Sequence, residues 1–262
     1  MNAPRSRPLV LMYHAVGERA AEEDPFCLFV PQDRLHQQLA TLLARGWTPL
    51  TLDAYLHGAH PSRSLLVTFD DGYRSVLDEG LPVLRELKVP ATVFVLGGLL
   101  GGTSRWMAEM PDEPLLDAEG VRELAGAGLD VECHGWEHST LLNASPEALV
   151  RNTTQAARVL TDLTGRPPRA FAYPYGDHDA PARRAVAEAG FEIAFSTYQA
   201  EGRFATPRVA VSPTDTSATF RLKVLPAYPA MRRIAGRVPK LRPAVHSLIG
   251  RAPRNSSGSS GS

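Results

Sequence analysis

The stretch that decides the fold is Leu65-Leu66-Val67-Thr68-Phe69-Asp70-Asp71-Gly72. Its first five residues are apolar or β-branched and have the length of a buried strand. Two carboxylates and a glycine follow at once. Adjacent carboxylates at a strand end repel each other and lose water. A bound cation resolves this by taking one as a ligand, which leaves the other ionised as a base toward water. Gly72 lets the backbone turn tightly. Taken alone, the same run also fits a solvated turn that caps the next helix.

The pattern around this stretch repeats. Upstream, Leu9–Tyr13 is a short apolar run that ends at His14, residues 18–30 look irregular, and residues 31–45 carry Leu35, Leu39, Leu42 and Leu43 at helical spacing until Gly46. Downstream, residues 73–88 read as an amphipathic helix and 91–96 as a strand. Residues 97–116 read as a long Gly-rich loop. A helix capped by Asp117 leads to a strand over 129–133, and a helix capped by Ser145 runs to about residue 163. Residues 170–173, 191–196 and 207–211 supply three more strands, with a helix over 180–189. Strands that alternate with helices imply βα units, right-handed crossovers and a parallel sheet. Seven such units in roughly 210 residues predict a closed or nearly closed α/β barrel in a single domain.

Chemistry in a parallel barrel sits at the C-terminal ends of the strands. His14 ends the first strand, Asp70 and Asp71 the second, and His134 and His138 follow the fourth. The Pro174-Tyr175-Gly176 turn ends the fifth. In His134-Gly-Trp-Glu-His138, two imidazoles four residues apart can share one metal. With a carboxylate they form a set also known from non-haem iron oxygenases. The second carboxylate favours hydrolysis, because attack by water needs a base. Aromatics beside the Pro174-Tyr175 turn can wall a sugar site, and a backbone N–H there can stabilise an oxyanion.

These motifs resemble those of the polysaccharide deacetylase family, the NodB homology domain of carbohydrate esterase family 4. The resemblance covers roughly residues 8–212 and rests first on Thr68-Phe-Asp-Asp-Gly72. It implies a distorted (β/α)7 barrel and removal of N-acetyl groups from amino-sugar polymers or oligomers. It makes Asp70 the catalytic base and Asp71, His134 and His138 the ligands of a divalent metal, usually Zn2+, with Co2+, Ni2+ or Fe2+ as alternatives. Leu11-Met-Tyr-His14 and Phe171-Ala-Tyr-Pro-Tyr-Gly176 resemble the branch that acts on poly-β-1,6-N-acetylglucosamine.

The sequence departs from the family pattern at three places. Gly135 stands where Ser or Thr often follows the first metal histidine. Ala172 stands where an Arg often holds the catalytic Asp. The late Leu-x-His that often supplies the general acid is missing. His14 is therefore the expected proton donor, with His178 behind it. Tyr175, Pro174, Tyr73 and His178 are assigned to the substrate side. A same-fold hydrolase of a small amide and a carbohydrate-binding homologue without turnover are the alternatives.

Composition adds little. Lys+Arg and Asp+Glu both number 28, yet none of the acidic residues follows Asp215, whereas nine basic ones do. Residues 1–215 are expected to form the catalytic domain. Residues 216–254 form a basic segment suited to an anionic membrane face or a polyanion, or equally to helical packing on the body with a solvated basic side, and 255–262 read as a linker. There is no nucleic-acid motif. Two cysteines make no disulfide framework. The N-terminus carries no h-region with a cleavage site, so the chain as written is expected to be cytoplasmic or membrane-peripheral, and exported if a signal was removed.

Overall fold

The computed structural model describes residues 7–225 except 59, 198 and 199, together with residue 228. Six parallel strands follow one another around the sheet. They are β1 (Leu9–Tyr13), β2 (Ser64–Phe69), β3 (Ala91–Val95), β4 (Asp130–Cys133), β5 (Ala170–Ala172) and β6 (Ile193–Ser196). The seventh expected strand is split. Thr206–Pro207 pairs with β6, Val209–Ala210 pairs with β1, and Arg208 lies between. One short segment thus meets both edges of the sheet, giving the distorted barrel that the sequence implies.

Side chains along the strands alternate between two layers, as the period of two requires. Val10, Leu66, Phe94, Ala170, Ala172, Ile193 and Phe195 fill the barrel interior. Their neighbours Leu11, Val67, Val93, Val131, Phe171 and Ala194 pack outward with Leu35, Leu39, Leu124, Leu160 and Val186 from the helices. The helix Leu52–His57, not expected from the sequence, closes the interior layer with Leu52, Tyr55 and Leu56. It has only six residues, too few for periodicity to register.

The expected helix caps form: Asp117 accepts from the Gly120 N–H and Ser145 from the Ala148 N–H. Two long helices carry π turns. In the first, Val76–Gly80 is π and Leu81–Leu87 is α. Pro82 lacks an N–H and cannot complete the α ladder there. In the second, the π turn Arg151–Gln155 places Asn152 toward the barrel rim. Residues 18–30 are less irregular than their composition suggests, because Ala15–Val16 pairs with Phe29–Val30.

The described start of the basic segment packs onto the body. In the helix Ser217–Lys223, Phe220 joins the main core and Lys223 pairs with buried Asp215 at 2.6 Å. Residues 229–262 and the interactions expected of them lie outside the described residues. No helix among the described residues is long and apolar enough to cross a membrane.

Candidate active site

The turn after β2 is strained. Asp71 has φ +70° and Gly72 has φ +71°, while the Asp70 N–H donates to the Tyr13 carbonyl at 3.0 Å. Six described residues other than glycine have a left-handed backbone, and Asp71, His138 and Tyr175 are three of them. Such strain persists where surrounding structure enforces it, and it clusters at functional sites.

His134 and His138 meet Asp71. Their Nε2 atoms lie 3.0 and 3.1 Å from the same oxygen, Asp71 Oδ1. The three candidate ligand atoms lie within 4.8 Å of one another, and all three residues are buried. His134 Nδ1 is 2.8 Å from the Ala172 carbonyl, an acceptor only, so Nδ1 carries the hydrogen. In the neutral ring, Nε2 then presents a lone pair toward a carboxylate oxygen. Lone pairs converging on one buried point fit a cation, and the donor set suits a divalent metal. Burial alone would push the Asp71 carboxyl up, but His138 and His134 hold it well below the ordinary carboxylate range.

Asp70 is held by a residue the sequence reading did not single out. Arg208 donates from both terminal nitrogens to both Asp70 oxygens, each at 2.6 Å. It also donates to Thr68 Oγ1 at 3.2 Å. The Arg208 side chain is 1% exposed and lies against the Phe94 and Phe195 rings. Burial opposes ionisation of Asp70, yet Arg208, His134 and His14 outweigh it and keep the carboxyl below its usual value. Ala172 belongs to the same interior layer as Phe94 and Phe195, so the cation missing from position 172 enters from the closing segment instead. The available signal was a lone Arg inside the apolar run Pro207-Arg-Val-Ala-Val211.

The absence of a hydroxyl at position 135 is also compensated. Gly135 has φ +95°, and a Cβ there would stand 2.9 Å from Asn152 Oδ1. That oxygen accepts the Trp136 N–H at 2.9 Å, and the Asn152 amide donates to Ser139 Oγ and the Ala148 carbonyl. Asn152 therefore orients the loop that carries both histidines.

The remaining expected residues divide. His14 is partly buried, and its charge acts on Asp70, Asp71 and His138. Tyr175 is 49% exposed and meets the His138 ring edge-on at 4.5 Å, while Pro174 beside it is buried. Tyr73 is 1% exposed and packs on Phe29. His178 is buried against Tyr173, and its Nδ1 accepts from Arg183 at 2.9 Å. Burial, with the Arg183 charge beside it, holds the His178 imidazole below its ordinary value. Trp106, from the long loop and not anticipated, stacks on His138 at 4.7 Å and 20°.

Residues 57–194, more than half of the chain, match the family model for polysaccharide deacetylase. The chain belongs to the polysaccharide deacetylase family. The chain is 24% identical over 221 residues to the polysaccharide deacetylase-like protein YxkH of Bacillus subtilis, covering 80% of this chain and 74% of the relative. It is 25% identical over 180 residues to poly-beta-1,6-N-acetyl-D-glucosamine N-deacetylase of Staphylococcus aureus, covering 64% of this chain and 60% of that enzyme. Among solved structures, IcaB from Ammonifex degensii superposes with TM-score 0.70 at 24% identity, covering 86% of this chain and 97% of that one. BA0330 from Bacillus anthracis superposes with TM-score 0.72 at 22% identity, covering 83% and 68%. These likenesses support the barrel as the family's fold. The family's deacetylases are metal-dependent hydrolases of N-acetyl amide bonds.

Proposed function

We propose that this chain hydrolyses the N-acetyl group of an amino-sugar glycan, with Asp70 as base and Asp71, His134 and His138 as metal ligands. The observation that carries the reading is the buried Asp70–Arg208 ion pair directly beside the Asp71–His134–His138 cluster. One carboxylate is committed to a cation site. The other is kept ionised by a guanidinium and remains available for proton transfer. A divalent metal, Zn2+ by preference and Co2+, Ni2+ or Fe2+ as alternatives, would lower the pKa of water and polarise the acyl carbonyl when bound.

The chain's own groups do the rest. Asp70 takes a proton from the attacking water as its oxygen adds to the acyl carbon. A backbone N–H near Tyr175, in the left-handed turn, faces the developing oxyanion. His14 gives a proton to the amine as the carbon–nitrogen bond breaks, which leaves acetate and the free amino sugar. Tyr175 supplies an aromatic face beside His138 for the sugar. The name of the staphylococcal relative points to a poly-β-1,6-linked N-acetylglucosamine substrate. A binding homologue without turnover rests on two absences, the Arg at 172 and the Leu-x-His; Arg208 supplies the cation for Asp70, and the Leu-x-His is still missing.

Acetate release from N-acetylglucosamine oligomers, measured after chelation and after metal is added back, tests the reading. Asp70→Asn is expected to keep its metal and lose most turnover. Wild-type turnover in that variant would refute the base assignment. Comparing polymer with monomer separates glycan hydrolysis from a small-amide reaction.

A further inference from the structure

Three loops around the candidate site meet at one point behind it. Arg19, in the loop after His14, donates from Nε and a terminal nitrogen to both oxygens of Glu113, each at 2.8 Å. Glu113 is 8% exposed and belongs to the long loop that follows β3. The Glu113 N–H donates to Ser104 Oγ, and the Ser104 N–H donates to the Glu113 carbonyl. Trp106 lies two residues beyond Ser104 and stacks on His138. The base of the same loop is tied to the residues after Asp71: the Leu116 N–H donates to the Gly72 carbonyl and the Arg74 N–H to the Pro114 carbonyl. The Arg19 guanidinium sits 4.5 Å over Phe29, and Phe29 packs on Tyr73.

Resting on the deacetylase reading, we propose that Arg19 and Glu113 are positioning residues whose ion pair seats Trp106 against His138 and so builds the aromatic wall of the sugar cleft opposite Tyr175. Hydrogen bonds within the long loop fix its shape. Backbone bonds to Gly72 and Arg74 hold its base, and the Arg19–Glu113 pair ties its far side across to the loop after β1. Glu113 is buried, so without Arg19 its carboxylate is uncompensated and must move toward water. That movement carries Ser104 and Trp106 with it. Asp70 and Arg208, in the barrel interior, are not part of this network, so the base keeps its place and the main effect falls on the sugar cleft. Trp106 and Tyr175 meet His138 at 4.7 and 4.5 Å, and an aromatic pair on one rim residue is a platform for a sugar ring.

The test uses Arg19→Ala, Arg19→Lys and Glu113→Gln in the full chain loaded with Zn2+. Steady-state kinetics on an N-acetylglucosamine oligomer are expected to show KM raised about tenfold in Arg19→Ala, with kcat within about twofold of wild type. Arg19→Lys should recover part of the loss. Intrinsic tryptophan emission should change in Arg19→Ala, and that change should vanish in a Trp106→Phe background. Unchanged KM and emission, a fall in kcat at constant KM, or an emission change that persists without Trp106 would each overturn the proposal. If Arg19→Ala does not fold, Glu113→Gln keeps the side-chain shape and is read in the same way. If wild type releases no acetate, the deacetylase reading fails, while the emission comparison, which needs no turnover, still decides the Arg19–Glu113 role.

Discussion

Arg208 and Asp70, 138 residues apart in sequence, form a two-pronged ion pair inside the barrel with both contacts at 2.6 Å. The pair joins the segment that meets both edges of the sheet to the residue proposed as base. The side chain that readies the base thus comes from the segment whose backbone closes the barrel.

Replacing Arg208 by Met should be costly in two ways. Asp70 loses its partner while buried, which destabilises the fold by about 3–5 kcal/mol. The Asp70 carboxyl also rises from its depressed value, so the ionised form needed for catalysis is lost at higher pH than in wild type. Turnover should fall roughly a hundredfold or more, with metal content unchanged. Thermal melts, metal analysis and a pH–rate profile check these outcomes together. An acid limb that stays in place would argue against Arg208 as the group that holds Asp70.

The convergence of Asp71, His134 and His138 predicts a folding dependence on metal. A ligand that binds only the folded state raises stability, by about 2.7 kcal/mol at a hundred times its Kd. Adding Zn2+ to chelated protein should therefore raise Tm. His134→Ala and His138→Ala should abolish most of that rise. A Tm indifferent to metal in the wild type would mean that the three residues do not hold one.

Asn152 should behave as part of the site although it touches neither carboxylate. Asn152→Ala leaves the Trp136 N–H without its acceptor and should weaken metal affinity or activity about 10–100-fold. Gly135→Ser should do harm as well, because position 135 has φ +95° and a Cβ there crowds Asn152 Oδ1 at 2.9 Å. Metal titration and acetate release check both variants.

Glu132 offers a pH signature of its own. It is buried on β4, where its carboxyl accepts the Arg169 and Ala170 N–H groups, and burial pushes its pKa up to about 8. A carboxyl whose folded value is raised binds its proton more tightly in the folded state. Its contribution is present below the unfolded pKa, about 4.5, and is lost as pH rises toward 8. Glu132→Gln should flatten this decline and melt at a higher temperature than wild type at pH 8. Parallel pH–Tm curves for the two proteins would exclude the effect.

The sequence by itself determined the parts whose meaning is local. Asp70-Asp71-Gly72 follows an apolar run, and His134 and His138 lie four residues apart, so the candidate ligand set was legible without a fold. The strands and capped helices were legible for the same reason, because each is announced by its own periodicity and end residues. Tertiary structure alone decided what reaches these residues from far away. Arg208 takes the place left by Ala172, Asn152 supplies the hydrogen bond that Gly135 cannot, and Trp106 arrives on a loop without regular periodicity. It also buried Tyr73, which sequence position alone had put on the substrate side. The physical reason is that a carboxylate needs a cation, and a backbone N–H an acceptor, at a point in space. Which residue fills that point is set by how the barrel closes and how its helices bulge.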